Sequence, residues 1–74
     1  MNKIVQIYVL LLNESTEIWR PVEALKLGKN FYQIISPNPE PDVEKWQFNK
    51  GEKVLCSQKT FSDGKSGLVA TKKL

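Results

Sequence analysis

The segment IVQIYVLLL, residues 4–12, determines how the rest of the chain is interpreted. Its apolar side chains recur at every second position, which is the period of a β-strand. One face of this strand would carry Val5, Ile7, Val9 and Leu11. The other face would carry Ile4, Tyr8, Leu10 and Leu12. The run is too short to cross a bilayer, and no small-residue cleavage site follows it, so we interpret it as a strand and not as a signal peptide or anchor.

The same alternation returns along the chain between groups of turn residues. Further strands are predicted at Ile18–Leu25, Phe31–Ser36, Trp46–Phe48, Lys53–Phe61 and Leu68–Ala70. The turns between them are predicted at 13–16, 28–30, 37–42, 49–52 and 62–67. Gly28 and Asn30 would form a tight reversal because both tolerate a positive φ. Pro21 has no N–H to donate, so the second strand would be an edge or carry a bulge there.

These elements predict an all-β fold in a single small domain, residues 1–74. The chain has 74 residues, of which 41% are hydrophobic, enough for one compact core. Closing such a short sheet on itself removes its exposed edges. We therefore expect a small SH3-like barrel of five to six antiparallel strands, with a strongly bent meander as the alternative architecture.

The chain has little of the equipment that catalysis uses. It has no histidine and one cysteine, Cys56, which excludes Ser-His and Cys-His arrangements and a structural zinc site. Cys56 is predicted to be a small core residue in a strand. We expect a protein that is not an enzyme, with no catalytic residues, metal or cofactor. A single thiol suits the cytoplasm, and we expect no membrane partner.

A protein-binding surface is the leading functional prediction. Arg20 is the sole arginine and adjoins Trp19 and Pro21. Arginine and tryptophan are enriched at binding hot spots. A bulge at Pro21 would shift the phase of the strand and expose Trp19, although packing of this triplet inside the fold is the alternative. The predicted surface consists of Trp19, Arg20 and Trp46, bordered by Glu40 and Asp42 of the proline-rich loop.

The carboxylates of that loop leave three interpretations open. Glu40, Asp42 and Glu44 recur at every second residue, so they would project to one side of an extended stretch. Such a set could contact a basic partner, hold Ca²⁺ or simply be solvated. It lacks the glycine and the carbonyl-rich loop of an EF-hand.

Charge distribution supports nucleic-acid binding as the alternative function. Residues 1–48 carry five basic and six acidic groups, a net charge of −1. Residues 49–74 carry six lysines and two acidic groups, a net charge of +4. Rings interleaved with basic residues are typical of proteins that bind single-stranded nucleic acid. The candidate contacts are Lys50, Lys53, Lys59 and Lys65.

The chain as a whole also resembles a family of small uncharacterised bacterial proteins. The resemblance depends on WRPVEA at residues 19–24 and on the pattern Trp46-x-Phe48-x-x-Gly51. It extends to the apolar run that ends at Leu12 and to Leu68–Ala70. It implies a bacterial, cytosolic β domain and no particular activity. The oligomeric state and the identity of the partner stay open.

Overall fold

Five strands form a closed barrel in the computed structural model of the protein, which describes residues 3–74. The strands are β1 (Lys3–Leu10), β2 (Trp19–Lys26), β3 (Phe31–Ile34), β4 (Lys53–Thr60) and β5 (Ser66–Lys73). The described part of the chain contains no helix, and therefore none long and apolar enough to cross a membrane. The predicted all-β fold is confirmed, and its architecture is consistent with a small SH3-like barrel.

The barrel is a meander in which each strand pairs with the next one in the chain. Those four pairings are antiparallel. Because the number of strands is odd, the first and the last strand run in the same direction, and the pair that closes the barrel is parallel. It joins Tyr8 of β1 to Val69 of β5. The prediction of antiparallel neighbours therefore fails at this one pair.

Alternate side chains of the strands fill the barrel. Ile7, Val9, Ile34 and Val54 are the largest fully buried side chains. The other members of the core cluster are Leu11, Val22, Ala24, Tyr32, Trp46, Phe48, Cys56 and Ala70. Each buried Val or Ile side chain contributes about 1.5–3 kcal/mol through removal of apolar surface from water. Of the two faces predicted for β1, the one that carries Ile7, Val9 and Leu11 is the inward face.

The β1–β2 hairpin contains no bulge. Its register runs without interruption from Lys3↔Lys26 to Leu10↔Trp19, and Pro21 lies opposite Tyr8. Because β3 pairs only with the end of β2, from Ala24 onward, Pro21 has a strand neighbour on one side only. The bulge interpretation is wrong, and Pro21 lies at a locally unpaired position of a strand that has neighbours on both sides. The register shifts instead in β4, between Leu55 and Cys56.

The segment between β3 and β4 packs against the barrel without forming the predicted strand. The third strand ends at Ile34, two residues early, because Ile35 and Ser36 both turn their N–H groups to the carbonyl of Glu23. Farther along, Trp46 joins the sheet through a single bridge to Leu11. Trp46 and Phe48 nevertheless alternate inward into the core, as their spacing predicts.

Two turns show which glycines need a positive φ. Gly51 and Gly64 have φ values of 90° and 88°. Gly28 and Asn30 are not among the residues with positive φ, contrary to the prediction. Their turn closes because the N–H groups of Leu27 and Gly28 both reach the carbonyl of Phe31, at 2.8 and 3.1 Å.

Candidate functional site

An open groove of about 670 Å³ lies on the outside of the barrel, where β1 meets β5. We call it the aromatic groove. Its lining residues are Tyr8, Glu17, Ile18, Trp19, Lys59, Thr60, Phe61, Ser62, Asp63 and Lys65. They come from β1, from the chain entering β2, and from the end of β4 with its turn. The two long hairpins therefore form this site together.

Tyr8 and Phe61 form the floor of the aromatic groove. The two rings pack edge to face, with centroids 5.0 Å apart. Tyr8 reaches Phe61 across Gly67, whose missing side chain leaves the space: a Cβ there would lie 2.6 Å from Cε1 of Tyr8. Ile18 adds an apolar wall that is 38% exposed. The groove therefore offers apolar surface outside the core.

Trp19 is held at the edge of this floor by a carboxylate and an ammonium group. Its indole N–H donates to Oε1 of Glu17 at 2.9 Å. Nζ of Lys59 lies 3.3 Å from the same oxygen and 5.9 Å from the centroid of the Trp19 ring. The hydrogen bond from Trp19, followed by the contact with Lys59, lowers the pKa of Glu17 below its ordinary value of 4.5. Glu17 is therefore ionised at neutral pH and fixes the orientation of the indole.

A second cavity, of about 420 Å³, lies on the other side of β2 and contains Arg20. The guanidinium forms two hydrogen bonds with Glu44, one of them from Nε at 3.1 Å, and the indole N–H of Trp46 donates to the same carboxylate at 3.0 Å. These contacts, that of Trp46 first and that of Arg20 next, lower the pKa of Glu44. Asn38 donates to the carbonyl of Glu44 at 2.7 Å. This cluster ties the proline-rich loop to the barrel.

The predicted binding surface is thus divided between two places. Neighbouring residues of a strand face opposite ways, so Trp19 lines the aromatic groove while Arg20 lines the second cavity. Trp46 is only 5% exposed, yet it lines the second cavity together with Arg20. Glu40 lines the second cavity, whereas Asp42 is exposed in the turn 41–43 and lines neither. Arg20 forms its ion pair within the chain, with Glu44.

The three loop carboxylates do not share one side. The turn at 41–43 interrupts the extended stretch that their spacing assumed, and Glu44 points back to Arg20. Within residues 3–74, no group of three or more side chains of the metal-binding types could hold an ion. The interpretation of this trio as a Ca²⁺ site is therefore not supported.

The four candidate nucleic-acid lysines also separate. Lys59 and Lys65 line the aromatic groove. Lys53 begins β4, six positions before Lys59 on the same strand, and Lys50 belongs to the turn before it. At about 3.3 Å per residue the separation is about 20 Å. The four candidate lysines therefore do not form one compact cluster.

Cys56 is buried in the core, as predicted. Burial raises the pKa of its thiol to about 11, because a thiolate would be poorly solvated there. The thiolate is the reactive form of cysteine. Cys56 therefore acts as a packing residue.

Three residues of the aromatic groove were predicted from the sequence, Trp19, Lys59 and Lys65, although not as one site. Tyr8, Phe61, Ile18 and Glu17 were not predicted as site residues. The missed signal was in the outward face of β1: Tyr8 is a large ring at an outward position. Its neighbour Gly67 belongs to a strand 59 positions farther along, and no local pattern shows that the two meet.

Comparison with known proteins adds one partial similarity. No family model matches the chain, and no solved structure matches it. The chain is 40% identical over 48 residues to a probable serine/threonine-protein kinase, ireA, of Dictyostelium discoideum. The similar stretch covers 65% of this chain and 5% of that protein. Such a short share of the kinase shows neither a family nor an activity for this chain.

Proposed function

We propose that this protein is a non-enzymatic module that binds a protein partner through the aromatic groove. The observation that carries the proposal is the set of rings outside the core: Tyr8, Trp19 and Phe61 border an open groove and are only partly buried. A domain of this size needs its apolar residues for stability, so rings left at the surface point to a contact. Aromatic side chains supply large contact area with little loss of conformational freedom.

Pre-organisation of Trp19 supports the same proposal. Its indole is already oriented by the hydrogen bond to Glu17, so binding would not have to order it. Arg20, in contrast, has its hydrogen bonds supplied by Glu44. The aromatic groove is therefore a better candidate than the second cavity. As a stretch of similar sequence within a much longer kinase suggests, a module of this kind can also occur as part of a larger chain.

Origin and location belong to this proposal as well. The resemblance to small bacterial proteins and the free buried thiol favour a bacterial, cytoplasmic protein.

Single-stranded nucleic acid is the second candidate ligand of the same groove. Two lysines stand beside three rings there, which favours stacking of bases. Glu17 and Asp63 line the groove too, and they would repel phosphates. The four titratable side chains of Glu17, Asp63, Lys59 and Lys65 have no net charge together, so we place nucleic acid second.

Quantitative pull-down with matched variants tests the site. We expect Trp19→Ala and Ile18→Ser to lose the partners captured by the native protein, and Arg20→Ala to retain them. Ile4→Ser is the control, since Ile4 is 56% exposed and lies outside the groove. Equal capture by all four variants would remove the groove from consideration. Loss with Arg20→Ala alone would transfer the function to the second cavity.

Nucleic acid is tested separately by titration with a labelled single strand at two salt concentrations. Binding through phosphates falls steeply as salt rises. Strong, salt-sensitive binding that disappears in Trp19→Ala would make the second candidate the better one.

A further inference from the structure

The ammonium group of Lys59 lies in the aromatic groove between an indole ring and a carboxylate. Its ammonium lies over the face of Trp19 and beside the Glu17 carboxylate, at 5.9 Å from the ring centroid and 3.3 Å from Oε1. The electron-rich face of an indole and a carboxylate both attract positive charge. An anion at the same place would be repelled by both.

Lys59 is held weakly enough to be displaced. Its side chain is 37% exposed and that of Glu17 is 58% exposed, so water screens their attraction. Lysine also regains considerable side-chain freedom when it leaves a contact. The displaced ammonium would be fully hydrated in solvent.

The apolar floor remains available while Lys59 occupies its position. The groove of about 670 Å³ is open over Tyr8 and Phe61 with the lysine in place. A ligand that brings both a cation and an adjoining apolar group would replace Lys59 and, in addition, cover this floor. Lys59 by itself cannot cover the apolar floor.

The charge that remains after displacement favours a cation. Without Lys59, the groove keeps the carboxylates of Glu17 and Asp63 against the single ammonium of Lys65. The remaining charge of the groove is thus −1 on a chain whose net charge is +3. A guanidinium suits this place better than an ammonium, because it stacks flat on an indole and offers paired N–H donors to a carboxylate.

We propose that the aromatic groove binds a segment of the partner in which an arginine adjoins an apolar side chain, and that Lys59 occupies the arginine position in the free protein. The proposal rests on the proposed function and adds the chemistry of its ligand. Glu17 and Trp19 then hold the guanidinium, while Tyr8 and Phe61 hold the apolar neighbour.

Fluorescence anisotropy with short labelled peptides tests the proposal. The probe has a central arginine between two leucines, and matched peptides carry citrulline or glutamate in its place. Citrulline keeps the shape and removes the charge. We expect the arginine peptide to bind most tightly, the glutamate peptide least, and Trp19→Ala to lose the preference.

The decisive variant is Lys59→Gln, which removes the internal competitor. We expect its affinity for the arginine peptide to rise about two- to fivefold, the factor set by a weak exposed ion pair. Lys72→Gln changes the net charge equally, and Lys72 is exposed on β5 outside the groove, so affinity should stay unchanged there. A fall in affinity with Lys59→Gln, or equal rises in both variants, would overturn the proposal.

Two further results keep this proposal distinct from the function it rests on. Equal binding of the arginine and citrulline peptides, or no binding of either, overturns the arginine assignment. The proposed protein-binding function is tested separately, by the pull-down with Trp19→Ala. Tighter binding of a labelled oligothymidylate that weakens in Lys59→Gln would assign the groove to nucleic acid instead.

Discussion

Gly67 offers a direct measure of how tightly the floor of the aromatic groove is packed. An alanine Cβ at this position would lie 2.6 Å from Cε1 and 3.1 Å from Cδ1 of Tyr8, and 3.4 Å from Phe61. Since ordinary contacts begin near 3.4 Å, the ring of Tyr8 would have to move by about 0.8 Å. The backbone of Gly67 has no positive φ, so alanine introduces crowding without backbone strain.

The magnitude follows from two opposing effects. Overpacking of this kind costs about 1–3 kcal/mol. Glycine is less favourable than alanine within a strand by about 0.5–1 kcal/mol, which offsets part of the cost. We expect Gly67→Ala to reduce the free energy of unfolding by about 1 kcal/mol, within the range of about 0–2.5 kcal/mol that these two effects allow. For a domain of this size each kcal/mol lowers Tm by about 4–8 °C.

Urea denaturation of a double-mutant cycle separates this mechanism from others. In a Tyr8→Ala background the added methyl group meets only Phe61, at an ordinary contact distance of 3.4 Å, so Gly67→Ala should become neutral or stabilise by about 0.5–1 kcal/mol. Gly64→Ala is unsuitable as a control because its φ is 88°. If Gly67→Ala costs the same with and without the Tyr8 ring, the contact between the two residues is not the cause and the reasoning fails.

Two further predictions concern Glu44 and Cys56, two groups whose pKa values are shifted in the folded protein. Because the contacts from Trp46 and Arg20 lower the pKa of Glu44, its ionised form stabilises the folded protein above the ordinary pKa of 4.5, and this contribution is lost as the pH falls through the lower folded value. We therefore expect Glu44→Gln to have a lower Tm than the native protein at pH 7, and the difference in Tm to become smaller when the pH is lowered below 4.5. Glu40→Gln, in the same loop, serves as the control. A difference in Tm that does not depend on pH would contradict the role of the charge. Burial raises the pKa of Cys56 to about 11, so we expect the native thiol to resist a disulfide reagent at pH 8 and to react rapidly once urea unfolds the chain. Equal rates in the native and unfolded protein would show that Cys56 is accessible.

Much of the fold could be predicted because its signals are local. The alternation in residues 4–12 separated the two faces of β1, and the structure buries the one that carries Ile7 and Val9. The inward spacing of Trp46 and Phe48 was also right, although the segment forms one bridge and no strand. Trp46 belongs to the core by its burial and also lines the second cavity, and spacing alone could not show this double placement.

The candidate site could be predicted only in part. Trp19 was identified by residue type, and its outward direction follows from alternation with Arg20. The predicted bulge at Pro21 was unnecessary: Arg20 keeps the phase of Val22 and its charge is compensated by Glu44, 24 positions away. Local spacing does not show the contact between Arg20 and Glu44. That contact gives Arg20 its structural role, which is to hold the proline-rich loop against the barrel.

The chain's own pattern of apolar and turn residues determined that it forms short strands, where most of them lie and which side chains face the interior, because side-chain alternation depends on a few neighbouring residues. Only the tertiary structure decided that β1 meets β5. That meeting depends on the number of strands, their twist and the register of every pair in between. It is also what brings Tyr8 onto Gly67, places Lys59 over Trp19 and creates the aromatic groove.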